Sequence, residues 1–171
     1  MAGGPNWTGV NRSVYEMEGI FNYRDALQST QGMYRKYIET EPNFSKFRAL
    51  LEKADMTRML DETGLLYTVF IPVDEAFESS GYPQAYLDGL TKSEAIKLVN
   101  FHIVRDSRVF SDGVVETVHT LSGLRLRMSG RWDTFRIYTV RDRMIRVIDE
   151  KSNMQASNGV LHATDKVLDD R

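Results

Sequence analysis

Partway along this chain the spacing of apolar residues changes from a helical period to a period of two, and that change limits the folds open to it. Phe44, Phe47, Leu51 and Ala54, with Leu50 beside them, fall on one stripe, as in an amphipathic helix laid on a core. Pro42 breaks the chain before this stripe, and Gly64 is expected to stop the helix. Thr91-Lys92-Ser93-Glu94 is a capping box, and the helix it opens carries Ala95, Leu98, Val99 and His102 at i, i+3, i+4 and i+7. His102 therefore shares the buried face. Beyond it the alternation is strict in Leu124-Arg125-Leu126-Arg127-Met128, Phe135-Arg136-Ile137-Tyr138 and Met144-Ile145-Arg146-Val147-Ile148. These segments read as antiparallel strands with turns at Ser129-Gly130 and Arg141-Asp142.

Two further signals join the halves. The β-rich run Leu66–Ile71 ends at Pro72, where no ladder donor is needed, and runs into the acid-led helix start Asp74-Glu75-Ala76-Phe77, with Asp74 the expected cap. Near the end, Asn158-Gly159 is a turn pair in which glycine can take positive φ, delivering Val160, Leu161 and His162 into a closing strand. A helix-rich first half followed by a strand-rich second half gives an α+β class, not the repeated βα units of a doubly wound nucleotide binder.

With 171 residues, 42% of them apolar, the chain encloses one ordinary core. Residues 1–33 read as an N-terminal extension or linker: Gly3, Gly4, Pro5 and Gly9 begin it, and Ser13–Glu16 is a capping box before short helices that Tyr15, Ile20, Tyr23 and Leu27 could line. Residues 34–171 form the domain. No stretch approaches the ~20 apolar residues of a membrane span, so no direct membrane insertion is expected. The absence of cysteine removes disulfides, thiolate catalysis and cysteine-ligated metals together.

The chemistry of catalysis is missing as well. His102, His119 and His162 are the three histidines, and none stands in a tight metal-ligand spacing. There is no Gly-x-Ser-x-Gly elbow and no phosphate loop. The pairs Asp74-Glu75, Asp149-Glu150 and Asp169-Asp170 are adjacent in sequence, which points their side chains apart. The expectation is a protein that is not an enzyme and uses no cofactor.

One local charge feature stands out. Residues 125–146 hold seven arginines against Asp133 and Asp142, a segment of +5 inside a chain of net charge −2. In alternating strands Arg125, Arg127 and Arg136 can face solvent together, which suits an acidic polysaccharide or another polyanion. Nucleic acid suits it less, because Trp132, Phe135 and Tyr138 include core candidates. The plain alternative is that the arginines occupy the wet side of a sheet and protect it from edge pairing.

Separated segments also match one family. Thr68–Phe77, running from strand through Pro72 into a helix with a closing aromatic at Phe77, resembles the first signature box of fasciclin-type domains. Asn158-Gly159-Val160-Leu161-His162-Ala163-Thr164-Asp165-Lys166-Val167-Leu168 resembles the second. Between them, Asn100-Phe101-His102-Ile103-Val104 is similar to the family's tyrosine–histidine motif with Phe101 in place of tyrosine. Thr120–Gly123 and Phe44–Phe47 sit where the family has a threonine–leucine turn and its opening helix. The likeness spans roughly residues 34–168. It departs at Asn153-Met154, where many members carry an aspartate–isoleucine pair implicated in receptor binding; a neutral Asn153 supplies no carboxylate to a metal-dependent receptor site.

The resemblance implies a two-sheet antiparallel β wedge or sandwich with helices along one side. It further implies a noncatalytic extracytoplasmic module for cell adhesion or surface binding, recognising a protein or glycan, with neighbouring domains in a longer chain. The expected setting is a bacterial surface or periplasmic lipoprotein, or a secreted protein, anchored through a part outside these residues. Two other readings stand beside it: a polysaccharide- or small-ligand-processing protein with a cleft, and a structural spacer.

Overall fold

A computed structural model describes residues 32–62 and 64–170, and residues 32–171 form one compact unit. The Ser13–Glu16 capping box and the short helices expected around it lie outside the described residues. The described chain opens with a π-helical turn, Tyr34–Ile38, that buries Ile38. Helix α1 follows at Ser45–Ala54 and buries Phe47, Leu50, Leu51 and Ala54, each large side chain removing enough apolar surface to contribute ~1.5–3 kcal/mol. Phe44 is buried in the short turn before it. Asp55, not Gly64, ends this helix: it takes the left-handed conformation at φ 57 and its N–H bonds back to Leu51 and Glu52. Aspartate tolerates that conformation better than most residues.

Strand β1 (Tyr67–Pro72) leads into α2 (Asp74–Ser79), α3 (Gln84–Asp88) and α4 (Lys92–Asn100). The capping box of α4 is formed from both sides, with Thr91 Oγ1 accepting from the Glu94 N–H at 3.2 Å and Glu94 Oε1 accepting from the Thr91 N–H at 2.8 Å. Strands β2 (Ile103–Arg105), β3 (Thr117–His119), β4 (Arg125–Ser129), β5 (Arg136–Tyr138), β6 (Met144–Arg146), β7 (Met154–Ala156) and β8 (Gly159–Thr164) follow, with short helical turns between some of the elements.

They form two four-stranded sheets, ordered β2-β1-β8-β7 and β3-β4-β5-β6. This is the expected α+β, two-sheet architecture. One pairing differs from the rest: β1 and β8 run parallel, Tyr67 opposite Gly159 through Pro72 opposite Thr164. Strands so far apart in sequence are not joined by a hairpin, so nothing local fixes their relative direction. Every residue of both is buried, as expected of strands covered on two faces. In the second sheet Leu126, Met128, Ile137 and Ile145 point inward and join one core with Phe47, Leu51 and Val99 of the helices. No helix among the described residues is long and apolar enough to cross a membrane.

Candidate functional site

The family-motif residues singled out in sequence gather around β1 and β8, where almost all of them are interior. Pro72 closes β1 opposite Thr164, and Phe77 is fully buried. Asp74 does not cap its own helix. Its carboxylate reaches α1 instead, accepting from Ser45 Oγ at 2.6 Å and from the Lys46 N–H at 2.8 Å, so it satisfies the open end of a neighbouring helix. Asn158 and Gly159 are not the central pair of their turn either. Ala156 pairs with Gly159 across it, which leaves Ser157 and Asn158 at the tip. Buried Asn158 ties three segments together: Oδ1 accepts from the Met33 N–H at 3.0 Å and Nδ2 donates to the Leu60 carbonyl at 2.6 Å. Gly159, at φ 150, leaves no space for a side chain, since a Cβ would lie 1.7 Å from the Tyr67 carbonyl oxygen.

The two motif histidines are closed off in opposite tautomers. His102 Nε2 sits 3.0 Å from the Leu168 N–H and can only accept there, so the proton is on Nδ1, which donates to the Leu98 carbonyl at 2.8 Å. His162 Nδ1 accepts from the Asn153 N–H at 3.1 Å, leaving Nε2 to donate to Val109 at 2.6 Å. His102 packs edge-on against Phe47 at 5.4 Å, and His162 lies between Phe70 and Phe135, with centroids at 5.5 and 6.2 Å. Burial pushes both imidazoles down to about 4, against the opposing pull of their carbonyl partners. Neither ring nitrogen of either residue is left to hold a metal or move a proton.

The outer face of the second sheet is the opposite case. Arg125 and Arg127 are exposed on β4, between inward Leu126 and Met128. Register places His119 beside Arg125, Tyr138 beside Arg127, and Arg146 beside Arg136. The Arg127 guanidinium lies over the Tyr138 ring at 4.5 Å and 3.7 Å from the Asp142 carboxylate. Arg136 donates to the carbonyls of Asp133 and Phe135. Not all of the arginine-rich segment is on this face: Arg143 turns inward, contacting Val167 and pairing with Asp169 at 3.2 Å. Trp132, a core candidate by sequence, is 57% exposed. It holds φ 54 in the connection between β4 and β5, a costly conformation for a bulky residue, at ~1–3 kcal/mol.

A groove of about 270 Å³ lies beside α3 and α4, lined among others by Tyr82, Tyr86, Lys97, Phe101 and Asp169. Asp169 is bound there by Arg143 and by the Tyr82 hydroxyl at 2.6 Å.

The sequence model of the Fasciclin domain matches residues 42–170. The chain belongs to the fasciclin domain family. Among curated proteins it is 23% identical to human periostin over 152 residues, 30% identical to mouse stabilin-2 over 135, and 26% identical to protein sll1483 of Synechocystis over 127. These alignments cover 87%, 75% and 73% of this chain but 17%, 5% and 66% of those proteins. The fold superposes on a domain pair from the insect cell adhesion molecule fasciclin I with a TM-score of 0.66 at 17% identity, covering 81% of this chain and 50% of that one.

In this fasciclin domain the two departures from the family pattern have plain local settings. Phe101 caps α4 and forms a wall of the groove, with the Lys97 ammonium 5.9 Å from its ring. Asn153 is turned to the interior, accepting from the Ser111 N–H at 2.9 Å and donating to Ser111 Oγ at 2.7 Å. Sequence reasoning passed over the exposure of Trp132 and the pairing of Arg146 with Arg136. The alternation of Met144-Ile145-Arg146 already put Arg146 on the polar face; nothing in the sequence set the register beside Arg136.

Proposed function

We propose that this fasciclin domain is a noncatalytic extracytoplasmic binding module that recognises a protein or a glycan at a cell surface. The observation that carries the reading is the family match across 129 residues, 42–170, together with a fold shared with a cell adhesion molecule. The local chemistry agrees. Both motif histidines are neutral, buried and hydrogen-bonded at each ring nitrogen, so the signature residues support the fold and leave recognition to the exposed faces. A cleft enzyme would need convergent carboxylates over a substrate. Of the three carboxylates lining the groove beside α3 and α4, Asp169 is held by Arg143 and Tyr82 and Glu94 by Thr91, whose hydrogen bonds keep its carboxyl below the ordinary range, which leaves Asp170 without a second carboxylate to work with. The setting proposed with this reading is a bacterial surface or the periplasm, where the domain is held through neighbouring domains or a lipid anchor.

The test is a screen of the immobilised chain against cells, matrix proteins and glycans, with product analysis on the glycans that bind. Retention of a partner without turnover is the expected result. Release of shortened sugars would move the protein to the enzymes, and no retention at all would leave a spacer.

A further inference from the structure

We infer that the outer face of the β3–β6 sheet, with Trp132 at its end, is a docking surface for an acidic polysaccharide. The inference rests on the reading of the chain as a binding module and deepens it. Arg125 and Arg127 on β4, Arg136 on β5 and Arg146 on β6 step diagonally across the sheet. From the strand rise and spacing the track spans roughly 17 Å, longer than one small anion needs and suited to a chain carrying charges at intervals.

Edge protection does not account for it. The sheet order is β3-β4-β5-β6, so Arg125, Arg127 and Arg136 lie on interior strands, whose backbone groups are already paired. Charges guard edges, and only Arg146 stands on one. Stability accounts for only part of it: Arg127 stacks on Tyr138 and Arg136 donates to two backbone carbonyls, but Arg136 and Arg146 are directly opposite, a placement that like charges disfavour. Among the described residues no carboxylate lies within ion-pairing distance of Arg125, Arg136 or Arg146; Arg127 alone has one, Asp142. A row of four guanidinium groups with one carboxylate among them carries an excess of positive charge, which is complementary to a partner that brings carboxylates or sulfates.

Trp132 distinguishes a sugar from other polyanions. Its connection starts from Ser129, opposite Arg136, at the end of the sheet where the Arg136 and Arg146 row lies. The loop is pinned: the Trp132 N–H donates to the Ser111 carbonyl at 2.7 Å, and Thr134 Oγ1 bonds to the Arg131 N–H and carbonyl at 3.1 and 2.8 Å. A strained, fastened loop thus presents a largely exposed indole to solvent, a rigid apolar ring with one polar N–H on which a pyranose ring can stack.

The experiment uses the full chain and a sulfated, heparin-type oligosaccharide of defined length. Affinity is measured calorimetrically at two salt concentrations, and melting is recorded for every variant. The expected result is a roughly tenfold or greater loss for Arg136→Glu/Arg146→Glu, with weaker salt dependence and a small drop in melting from the lost Arg136 hydrogen bonds, the protein staying folded at the assay temperature. Trp132→Ala should lose about threefold without changing the salt dependence. Lys92→Glu, a charge reversal at the start of α4, outside this sheet, should change affinity less than twofold. Tryptophan fluorescence of the wild type should respond to the oligosaccharide and that of Trp132→Phe should not, which tests contact even if the charge variants misfold. An equal loss for Lys92→Glu, an unaffected Trp132→Ala, or equal binding to phosphatidylserine vesicles would overturn the proposal. If the oligosaccharide fails to bind while cells or matrix proteins are still retained, this face is not the site and the module reading stands; if nothing is retained, both fall.

Discussion

The two sheets use similar strands but divide their side chains differently. In β1 and β8 every residue is buried, and the signature residues there are engaged by backbone atoms of distant segments: Asn158 with Met33 and Leu60, His162 with Val109 and Asn153. In β4 the burial alternates, so a core face of Leu126 and Met128 backs an exposed row of arginines. A residue held from several sides can change little without loss of the fold, whereas one held from behind can be selected for what it meets. The family signature therefore marks the fold, and the partner is to be sought on the sheet that carries none of the signature boxes.

The largest effect should come from Gly159→Ala. A Cβ 1.7 Å from the Tyr67 carbonyl forces β1 and β8 apart, and a loss above about 4 kcal/mol, with most of the protein unfolded by circular dichroism, is expected. Near-wild-type stability would mean that the central pairing is looser than described. His102→Ala should cost about 3 kcal/mol in urea denaturation, because it opens a cavity and leaves the Leu98 carbonyl and the Leu168 N–H without partners. Unchanged melting with lost ligand binding would instead move His102 into the recognition surface.

Acid should act through the same sheet. Both buried histidines have folded values of about 4, against about 6.5 when unfolded, so the unfolded state binds more protons between those limits. Their contribution is fully present above pH ~6.5 and is lost as pH falls toward ~4, on the order of 3 kcal/mol for each. The slope of stability against pH in this window should shrink in a His162→Gln variant; an unchanged slope would show that the rings are solvated. The smallest effect belongs to the second sheet. Arg125→Glu should shift stability by no more than about 0.5 kcal/mol in the same urea assay, and a loss beyond ~1.5 kcal/mol would make this face structural too.

Local rules were readable from the chain, and tertiary ones were not. Thr91 and Glu94 form their capping box because both partners lie within one turn, and the alternation of Leu124–Met128 gave the buried face of β4 because the strand period is local. Asp74 reads as the cap of its own helix in sequence, but its hydrogen-bonding partners, Ser45 and Lys46, belong to another helix, which no local pattern reveals. The parallel direction of β8 against β1 depends on a crossover through most of the domain, about which alternation says nothing. Arginine at an interior strand and arginine at an edge look alike in sequence; only the order β3-β4-β5-β6 separates protection from recognition. In sequence Trp132, Phe135 and Tyr138 read alike as core candidates, yet Phe135 is buried and Trp132 exposed, since Trp132 lies in the turn at Arg131–Thr134 and Phe135 just beyond it.

The division between the sheets is tested most directly by following the backbone amides and the indole N–H of the full chain in a nitrogen–proton correlation spectrum as the sulfated oligosaccharide is added. Shifts concentrated in β4, β5 and β6 and at the Trp132 indole, with β1 and β8 silent, are the predicted result. Shifts centred on His102, Asn158 and His162, or on the groove beside α4, would contradict it.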